Sequence, residues 1–150
     1  CLDEDGEIRS HPSGDLNAQY RSIPDLAHNF VLQAVFEGSP CAREEIEEKL
    51  EDARAKRRLS QPSGASAGCI FKNPEEIPAG KLIDELGLKN ACVGDACVSS
   101  VHANFIINRG HARARDITIL IDMIRKEAME NRGIDLKSEA QVIGDREPQF

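Results

Sequence analysis

A strand-turn-helix segment in the middle of the chain, Ser66 to Pro74 followed by Ala79 to Ile83, restricts the fold more than any other stretch. It combines small residues, one thiol, a short apolar run and a Lys-Asn-Pro sequence. The Asn-Pro pair predicts the end of a strand, because proline has no amide hydrogen to give to a ladder. Pro78 then lies near the start of a helix, and Gly87 is a natural C-terminal stop for it. The segment therefore predicts a short strand, a turn and a short helix.

Cys69, directly after Gly68, is the most reactive side chain of this segment. A glycine lets the backbone approach a ligand closely, because it has no Cβ. An exposed thiol here would be a nucleophile, a proton donor or a metal ligand, whereas a buried thiol would be a small hydrophobic residue. A free thiol has a pKa of about 8.5 and is mostly protonated near neutral pH, which suits proton donation. The residues alone leave a functional loop and an ordinary connection equally open.

Size and charge restrict the class of protein. A chain of 150 residues, 40% apolar and 30% charged, is typical of a soluble globular protein with one ordinary domain or two small ones. The net charge of −7 argues against binding to a nucleic-acid backbone, which usually needs a basic face. No apolar run is long enough to span a bilayer, and the first residues do not form a signal peptide. We therefore expect a cytoplasmic protein that binds neither nucleic acid nor membranes.

The chain has five cysteines, at positions 1, 41, 69, 92 and 97. None of them forms a Cys-x-x-Cys pair, and the spacing of Cys92 and Cys97 matches no common zinc motif. The pattern favours reduced thiols with mostly structural roles and no metal site. A thiol redox module or a metal module remains a weaker alternative.

The first sixty residues predict a short hairpin, a buried strand and a charged helix. Asp5-Gly6 is a turn signal. His28 to Phe36 alternates with apolar residues on both faces, which predicts a well-buried strand. A helix is predicted from about Ala42 to Arg58, with most of its charged side chains in solvent. Its predicted core stripe consists of Ile46, Leu50, Ala53 and Leu59.

The composition changes at Gln61 to Ala67, which is small and loop-like, and this predicts a domain boundary between residues 1–60 and 61–150. Beyond it, strands alternate with helices, which predicts an α+β or α/β layer with helices packed on a small sheet. The predicted elements are a strand pair over Ala91 to Val98 with a Gly94-Asp95 turn, a strand at Phe105 to Ile107, a helix from Ala114 to Arg132 ended by Gly133, a last strand at Ala140 to Ile143, and a tail from Asp145.

His102, Glu139 and Arg21 are further candidates for chemistry. His102 lies on a predicted strand and is a possible base, although a structural histidine is the commoner case. Glu139 precedes the last predicted strand, and Arg21 lies in a loop, where functional side chains are frequent. The chain has no phosphate-binding loop, dinucleotide fingerprint or nucleophile elbow. The residues alone indicate a domain that suits an anionic small molecule.

Several short motifs follow one another along the chain in a fixed order. They are Tyr20-Arg21-Ser22, Gly68 to Pro74, Ala79 to Ile83, Gly87 to Lys89, Val98-Ser99, His102 to Asn108 and Glu139 to Gly144. This ordered set resembles the UDP-N-acetylenolpyruvoylglucosamine reductase family. The resemblance extends over essentially the whole chain, but only over the C-terminal half of the family's enzyme. Within the family it fits the subclass that lacks a long loop over the substrate.

The resemblance implies a flavoenzyme of peptidoglycan precursor synthesis. Such enzymes bind FAD mainly through an N-terminal region, reduce it with NADPH, and pass the hydride to UDP-N-acetylglucosamine enolpyruvate. The product is UDP-N-acetylmuramate. Residues 1–60 would be the end of the flavin-binding α+β domain, and 61–150 a small α/β substrate-binding domain. The chain would then need the N-terminal flavin-binding half of the same protein as its partner, and we expect it to be inactive without that half.

The resemblance also implies roles for individual residues. Arg21 takes the position of a catalytic arginine, Cys69 that of a proton-donating serine, and Glu139 that of a glutamate at the catalytic centre. The substrate-binding positions fall on Tyr20, Lys72 and Asn73.

These roles are chemically reasonable. When a hydride reaches one carbon of the enolpyruvyl group, negative charge develops on the neighbouring carboxylate, where an arginine can stabilise it. A proton donor must then protonate the other carbon. A thiol in place of a hydroxyl remains a proton donor, and it is also open to oxidation. The main rival function is a non-enzymatic UDP-sugar-binding module without flavin.

Overall fold

The structure is a computed structural model that describes residues 1–142. The chain divides into two compact units, Cys1–Ile46 and a second unit that begins at Glu47. This division by packing does not test the predicted functional boundary at residue 60, which stays a prediction. No helix in the described part of the chain is long and apolar enough to cross a membrane.

The first unit consists of turns and single bridges. Leu2 pairs with Ile8 and with Phe30 in isolated antiparallel bridges. Gly6, with a φ of +82°, makes the predicted turn between Leu2 and Ile8. No residue from 1 to 46 is buried. Short 3-10 turns cover Ser13–Asp15 and Pro24–Leu26.

The prediction of a buried strand from His28 to Phe36 is wrong for this structure. Leu2 and Phe30 exchange two backbone hydrogen bonds of 2.8 Å, and no strand continues beyond Phe30. Val35 and Phe36 are each 90% exposed. The alternation of apolar residues is present in the sequence, but a strand also needs a neighbouring strand to accept and donate its backbone hydrogen bonds.

The predicted charged helix is α1, Arg43–Ser60, and it has no buried residue. Its predicted core stripe is therefore wrong, since Ile46 and Leu50 are about half exposed and Leu59 is 84% exposed. The predicted interpretation of its charges as a solvated face agrees with the structure. The helix carries local ion pairs instead, in which Glu51 contacts Arg54 and Arg58.

The second unit contains the strands β1 Ser66–Cys69, β2 Cys92–Val93, β3 Ala96–Val98 and β4 Phe105–Asn108, and the helices α2 Ala79–Glu85 and α3 Ala114–Arg132. The strands form a four-stranded antiparallel sheet in the order β1-β4-β3-β2. Helix α3 packs against β2, β3 and α2. The α+β fold class is confirmed.

Helix α3 has the predicted bounds. Its apolar residues recur at helical spacing and face the core; they are Ile117, Leu120, Ile121, Ile124 and Ala128. Asp116 accepts a hydrogen bond of 2.9 Å from the backbone N–H of Arg113 and so caps the start of the helix. Gly133, with a φ of +66°, ends it in the left-handed conformation that favours glycine. The buried core consists of Ile70, Phe71, Ala79, Leu82, Ile83, Ala96, Val98, Ala103, Ile106, Leu120, Ile121, Ile124, Ala128 and Leu136.

The prediction of a last strand at Ala140 to Ile143 is wrong for its described part. The pairing comes earlier in the chain, where Ser138 forms a single antiparallel bridge with Phe71. The carbonyl of Ile70 accepts the N–H groups of both Glu139, at 2.7 Å, and Ala140, at 3.3 Å. Because the two consecutive N–H groups of Glu139 and Ala140 share the Ile70 carbonyl, the regular strand pairing ends at this point. Position 143 and the predicted tail from 145 lie outside the described residues.

The prediction that the cysteines are reduced is wrong for one pair, because Cys92 and Cys97 form a disulfide. They face each other across the β2–β3 hairpin, whose turn is Gly94-Asp95 as predicted. Their Cα atoms are 4.1 Å apart, because the second residue pair outside a two-residue hairpin turn is a non-hydrogen-bonded pair, in which the Cα atoms lie closest together. Cys1, Cys41 and Cys69 are not part of a disulfide.

Candidate functional site

The site begins at a β-bulge at the end of β1. Ser66 faces Ile107 and Cys69 faces Phe105, so β1 takes three steps where β4 takes two. Gly68 provides the extra residue, with a φ of +80° that a glycine adopts without strain. A bulge changes the direction of the side chains that follow it. Here it leaves Cys69 partly buried as the last residue of the strand.

One side of the segment after Cys69 is held by Asn104. The backbone N–H of Ile70 donates to the carbonyl of Asn104 at 2.9 Å. The Asn104 side chain then makes two hydrogen bonds to Phe71, accepting its N–H at 2.9 Å and donating to its carbonyl at 2.8 Å. Asn104 is 3% exposed and Phe71 is 1% exposed. This is a buried contact in which every polar atom has a partner.

The other side of the same segment is held by residues 137–139. The backbone N–H of Lys72 donates to the carbonyl of Lys137 at 2.9 Å, and that of Glu139 donates to the carbonyl of Ile70 at 2.7 Å. Cys69 and Glu139 are seventy positions apart in sequence, yet the backbone of Glu139 is bonded to the residue that follows Cys69. The structure therefore brings the backbones of these two predicted catalytic residues close together.

Lys72 and Asn73 follow on the same segment, with Lys72 partly buried and Asn73 exposed. The side-chain oxygen of Asn73 accepts a hydrogen bond of 3.0 Å from the backbone N–H of Ala79, the first residue of α2. This bond fixes the orientation of the Asn73 carboxamide, because its oxygen is committed to the helix. The side-chain NH₂ group is then the end that suits an acceptor on a ligand.

Tyr20 and Arg21 belong to the first unit and lie in a tight turn. Gln19 and Ser22 exchange backbone hydrogen bonds of 2.8 and 3.2 Å, which places Tyr20 and Arg21 at the tip. Arg21 has a φ of +57°, an uncommon value for a residue with a Cβ and one that occurs often at functional sites. Its guanidinium carbon lies 5.9 Å from the centre of the Tyr20 ring. That these residues share a site with Cys69 and Glu139 stays a prediction.

His102 has structural contacts that account for its position. Its Nδ1 accepts the backbone N–H of Asn104 at 3.2 Å, and its ring packs edge-on against Phe105. The ring also lies against Gly80, where an added Cβ would come within 2.8 Å of the imidazole. These contacts favour the structural interpretation of His102 over a role as base.

Sequence reasoning missed Asn104. The signal for it was a carboxamide inside the apolar run from Ala103 to Ile107, where a buried polar side chain needs hydrogen-bond partners.

A cavity of about 310 Å³ lies between β1, β4 and the start of α3. It has no charged side chain in its lining, whereas the diphosphate of a dinucleotide needs cationic or N–H donors. The cavity therefore does not fit FAD, and the first unit has no buried residue that would enclose a flavin. Among residues 1–142 no three His, Cys, Asp or Glu side chains come together as a metal site requires. The lining residues are Ala65, Ser66, Ala67, Ile70, Ile106, Asn108 and Ile117.

Comparison with known proteins identifies the family. Residues 60–143 match the family described as UDP-N-acetylenolpyruvoylglucosamine reductase, C-terminal domain, and this range is more than half of the chain. The chain belongs to this reductase family. The match includes the segment from Cys69 to Asn73 and Glu139, so the residues that the structure brings together lie within the family's C-terminal domain.

Curated relatives and a solved structure agree with this assignment. The UDP-N-acetylenolpyruvoylglucosamine reductase of Syntrophus aciditrophicus is 37% identical over 145 residues, which are 96% of this chain and 46% of the relative. That of Heliobacterium modesticaldum is 40% identical over 147 residues, 96% of this chain and 47% of the relative. The crystal structure of the reductase from Thermus caldophilus is 41% identical with a TM-score of 0.60, covering 69% of this chain and 36% of that one.

The chain thus spans slightly less than half the length of these curated relatives. All of them carry the name of the reductase, which is an oxidoreductase that acts in peptidoglycan synthesis.

Proposed function

We propose that this chain is the part of a UDP-N-acetylenolpyruvoylglucosamine reductase that binds the substrate and donates the proton. The reaction converts UDP-N-acetylglucosamine enolpyruvate to UDP-N-acetylmuramate in the cytoplasm, with NADPH as the reductant and FAD as the hydride carrier. The observation that carries the proposal is the backbone hydrogen bond from Glu139 to Ile70, the residue after Cys69, within the range that matches the family's domain; it supports a common site for the carboxyl group and the thiol.

Cys69 is the proton donor of the proposed reaction. Its thiol is outside any disulfide and only partly buried, and the bulge at Gly68 fixes its backbone, which suits contact with a ligand. A thiol gives up a proton more readily than a hydroxyl, because its pKa of about 8.5 is much closer to neutral pH. The proton passes to the carbon that becomes carbanion-like when the neighbouring carbon receives the hydride.

Glu139 assists at the same centre, and Lys72 and Asn73 hold the substrate. The partly buried Glu139 is tied to Ile70 by its backbone, which limits where its carboxyl group can lie. A carboxyl group held there can take part in moving the proton. Lys72 supplies positive charge for an anionic sugar nucleotide, and the oriented NH₂ group of Asn73 supplies a hydrogen-bond donor.

Arg21 stabilises the negative charge that develops on the substrate carboxylate, and Tyr20 contacts the substrate beside it. A guanidinium is suited to this because it donates two parallel hydrogen bonds to a carboxylate. The positive φ of Arg21 supports the proposal, since strained backbone is retained where the position of a side chain matters.

The N-terminal flavin-binding half of the full reductase is the proposed partner of this chain. When FAD is bound in that half, it supplies the hydride. Residues 1–142 of this chain do not enclose a flavin. The exposed apolar residues Phe30, Val31, Leu32, Val35 and Phe36 support this partner, because side chains with this alternation pack well against a neighbouring strand.

The experiment is a rate measurement on the intact reductase that contains this chain. We expect the flavin-loaded protein to oxidise NADPH only when the enolpyruvyl substrate is added, and to form UDP-N-acetylmuramate. A flavin-loaded protein that does not turn over would overturn the proposal. Purified intact protein without flavin absorbance that still binds the UDP-sugar would instead favour the non-enzymatic binding module.

A further inference from the structure

We propose that Asn104 is a positioning residue for the proton donor, and this inference rests on the proposed function. Asn104 holds the backbone of Phe71 through two hydrogen bonds of 2.9 and 2.8 Å, and Phe71 lies between Cys69 and Asn73 in the chain. The Asn104 carboxamide therefore sets the spacing between the thiol and the substrate-binding amide.

The need for this contact follows from where β1 ends. The strand stops at Cys69, so Ile70 and Phe71 leave the regular ladder although both are 1% exposed. A buried N–H or carbonyl without a partner is costly, and every backbone group of this turn must find one. Asn104 supplies both a donor and an acceptor to Phe71, and so its side chain acts as a strand partner would.

Other side chains do not reproduce this pair of bonds. A carboxamide presents one acceptor and one donor in a fixed plane, which matches the N–H and the carbonyl of a single residue. Serine is too short to span the distance, and leucine has no polar atom. Glutamine retains the carboxamide but places it one carbon further from the backbone.

Asn104 is itself held rigidly. Its backbone N–H donates to Nδ1 of His102 at 3.2 Å, and the N–H of His102 donates to the Ser99 hydroxyl at 3.3 Å. The His102 ring packs against Gly80, which leaves space for it only because glycine has no Cβ. The bonds to Phe71 thus connect the segment after Cys69 to a fixed part of the core rather than to a mobile loop.

The kinetic test separates the two halves of the reaction in the intact reductase. In an Asn104→Ser variant, we expect reduction of the flavin by NADPH to stay within about 2-fold, because that step does not need the thiol. Reoxidation of the reduced enzyme by the enolpyruvyl substrate should slow about 100-fold, since a displacement near 1 Å has that effect on a positioned group. Asn104→Gln should give a smaller loss in the same step.

The matched control is Ile124→Val, which removes a buried methyl group of α3 rather than a hydrogen bond to Phe71. Ile124 is 1% exposed, so we expect this change to lower the melting temperature while both hydrogen bonds between Asn104 and Phe71 remain. Both half-reactions of this variant should stay at the parent rate. If Asn104→Ser slows both half-reactions together, or slows neither, the positioning role is wrong.

A second measurement does not depend on activity. Hydrogen exchange of the Phe71 amide should accelerate at least about 10-fold in Asn104→Ser, because its acceptor is gone, whereas amides in α3 should be unchanged. Unchanged exchange at Phe71 would overturn the proposal. If the parent enzyme, once reduced, is not reoxidised by the substrate, the proposed function fails and the positioning role fails with it.

Discussion

The two units of the chain use apolar residues in opposite ways. In the second unit the apolar residues of α2, α3 and the sheet form one buried core, with Leu82, Ile83 and Leu120 fully inaccessible. In the first unit, Phe30, Val31, Leu32, Val35 and Phe36 are between 56% and 90% exposed. Both units have sequence patterns typical of buried structure, but only the second unit covers its apolar side chains with its own residues.

The difference shows that an apolar pattern predicts the type of an element, whereas burial of that element depends on whether the chain provides a neighbouring element to pack against it. A helix stripe is buried when the same unit provides a sheet to cover it, as α3 shows. A strand pattern such as that from His28 to Phe36 requires backbone partners, and in this structure Leu2 provides them for Phe30 only. Stability should therefore reside in the second unit, and the first unit should contribute through a partner.

The largest expected effect is in the core of the second unit. In the 150-residue chain, Leu82→Ala should lower the free energy of unfolding by about 2–5 kcal/mol, because a fully buried side chain leaves a cavity. Phe36→Ala in the first unit should change it by less than about 0.5 kcal/mol, since Phe36 is exposed. Urea unfolding followed by circular dichroism checks both. Equal losses of unfolding free energy in the two variants would contradict the contrast between the two units.

The same Phe36→Ala change, made in the intact reductase, tests whether the N-terminal half covers the exposed apolar residues of the first unit. If the N-terminal half covers this surface as proposed, the loss there should rise to about 3 kcal/mol or more. A loss that stays as small as in the shorter chain would contradict the proposed partner.

The next effect in size is that of the disulfide. It closes a short loop, so reduction should lower the free energy of unfolding of the second unit by about 2 kcal/mol in the chain-entropy account. Unfolding curves with and without a thiol reductant measure this. The control is the double variant Cys92→Ser with Cys97→Ser, in which Cys1, Cys41 and Cys69 remain and the reductant should have no effect.

A matched pair of glycines gives a smaller effect. Gly133 ends α3 with a φ of +66°, Gly6 makes the turn in the first unit with a φ of +82°, and an added Cβ would meet nothing within 4 Å at either place. Gly133→Ala should lower the free energy of unfolding by about 1 kcal/mol, because alanine is strained in the left-handed conformation. Gly6→Ala should leave the main transition in place. A shift of similar size in both would show that the units unfold together.

The smallest effect concerns α1. The Arg58 guanidinium, through a hydrogen bond and its charge, holds the pKa of Glu51 below its usual value of 4.5. A lowered pKa means that the ionised carboxylate favours the helix, so this contribution is present above pH 4.5 and is lost as the pH falls through the lowered pKa. An NMR titration of Glu51 measures the pKa, and Arg58→Ala should raise it. No change in that variant would exclude the ion pair.

The parts of the fold that local sequence determines were predicted best. Helix α3 was predicted with both ends, because its apolar period, its cap Asp116 and its terminal Gly133 all lie within the helix or next to it. The Gly94-Asp95 turn, combined with the cysteines two positions outside it, was a signal for the disulfide that the spacing of the cysteines alone does not give.

The candidate site shows where sequence reasoning stops. Family resemblance named Cys69 and Glu139, but the proximity of their backbones depends on a hydrogen bond between Ile70 and Glu139 that no local pattern encodes. Asn104 holds Phe71 from 33 positions away, so nothing in the neighbourhood of either residue predicts the pair. Contacts of this kind are decided by the packing of the whole unit.

The central claim is that Cys69 donates the proton, and two variants of the intact reductase test it most directly. The measurement is the rate at which the reduced enzyme is reoxidised by the enolpyruvyl substrate. Cys69→Ser should retain substantial activity, because a hydroxyl can still donate a proton, whereas Cys69→Ala should be about 100-fold slower or worse. Equal rates for the serine and alanine variants would contradict the account.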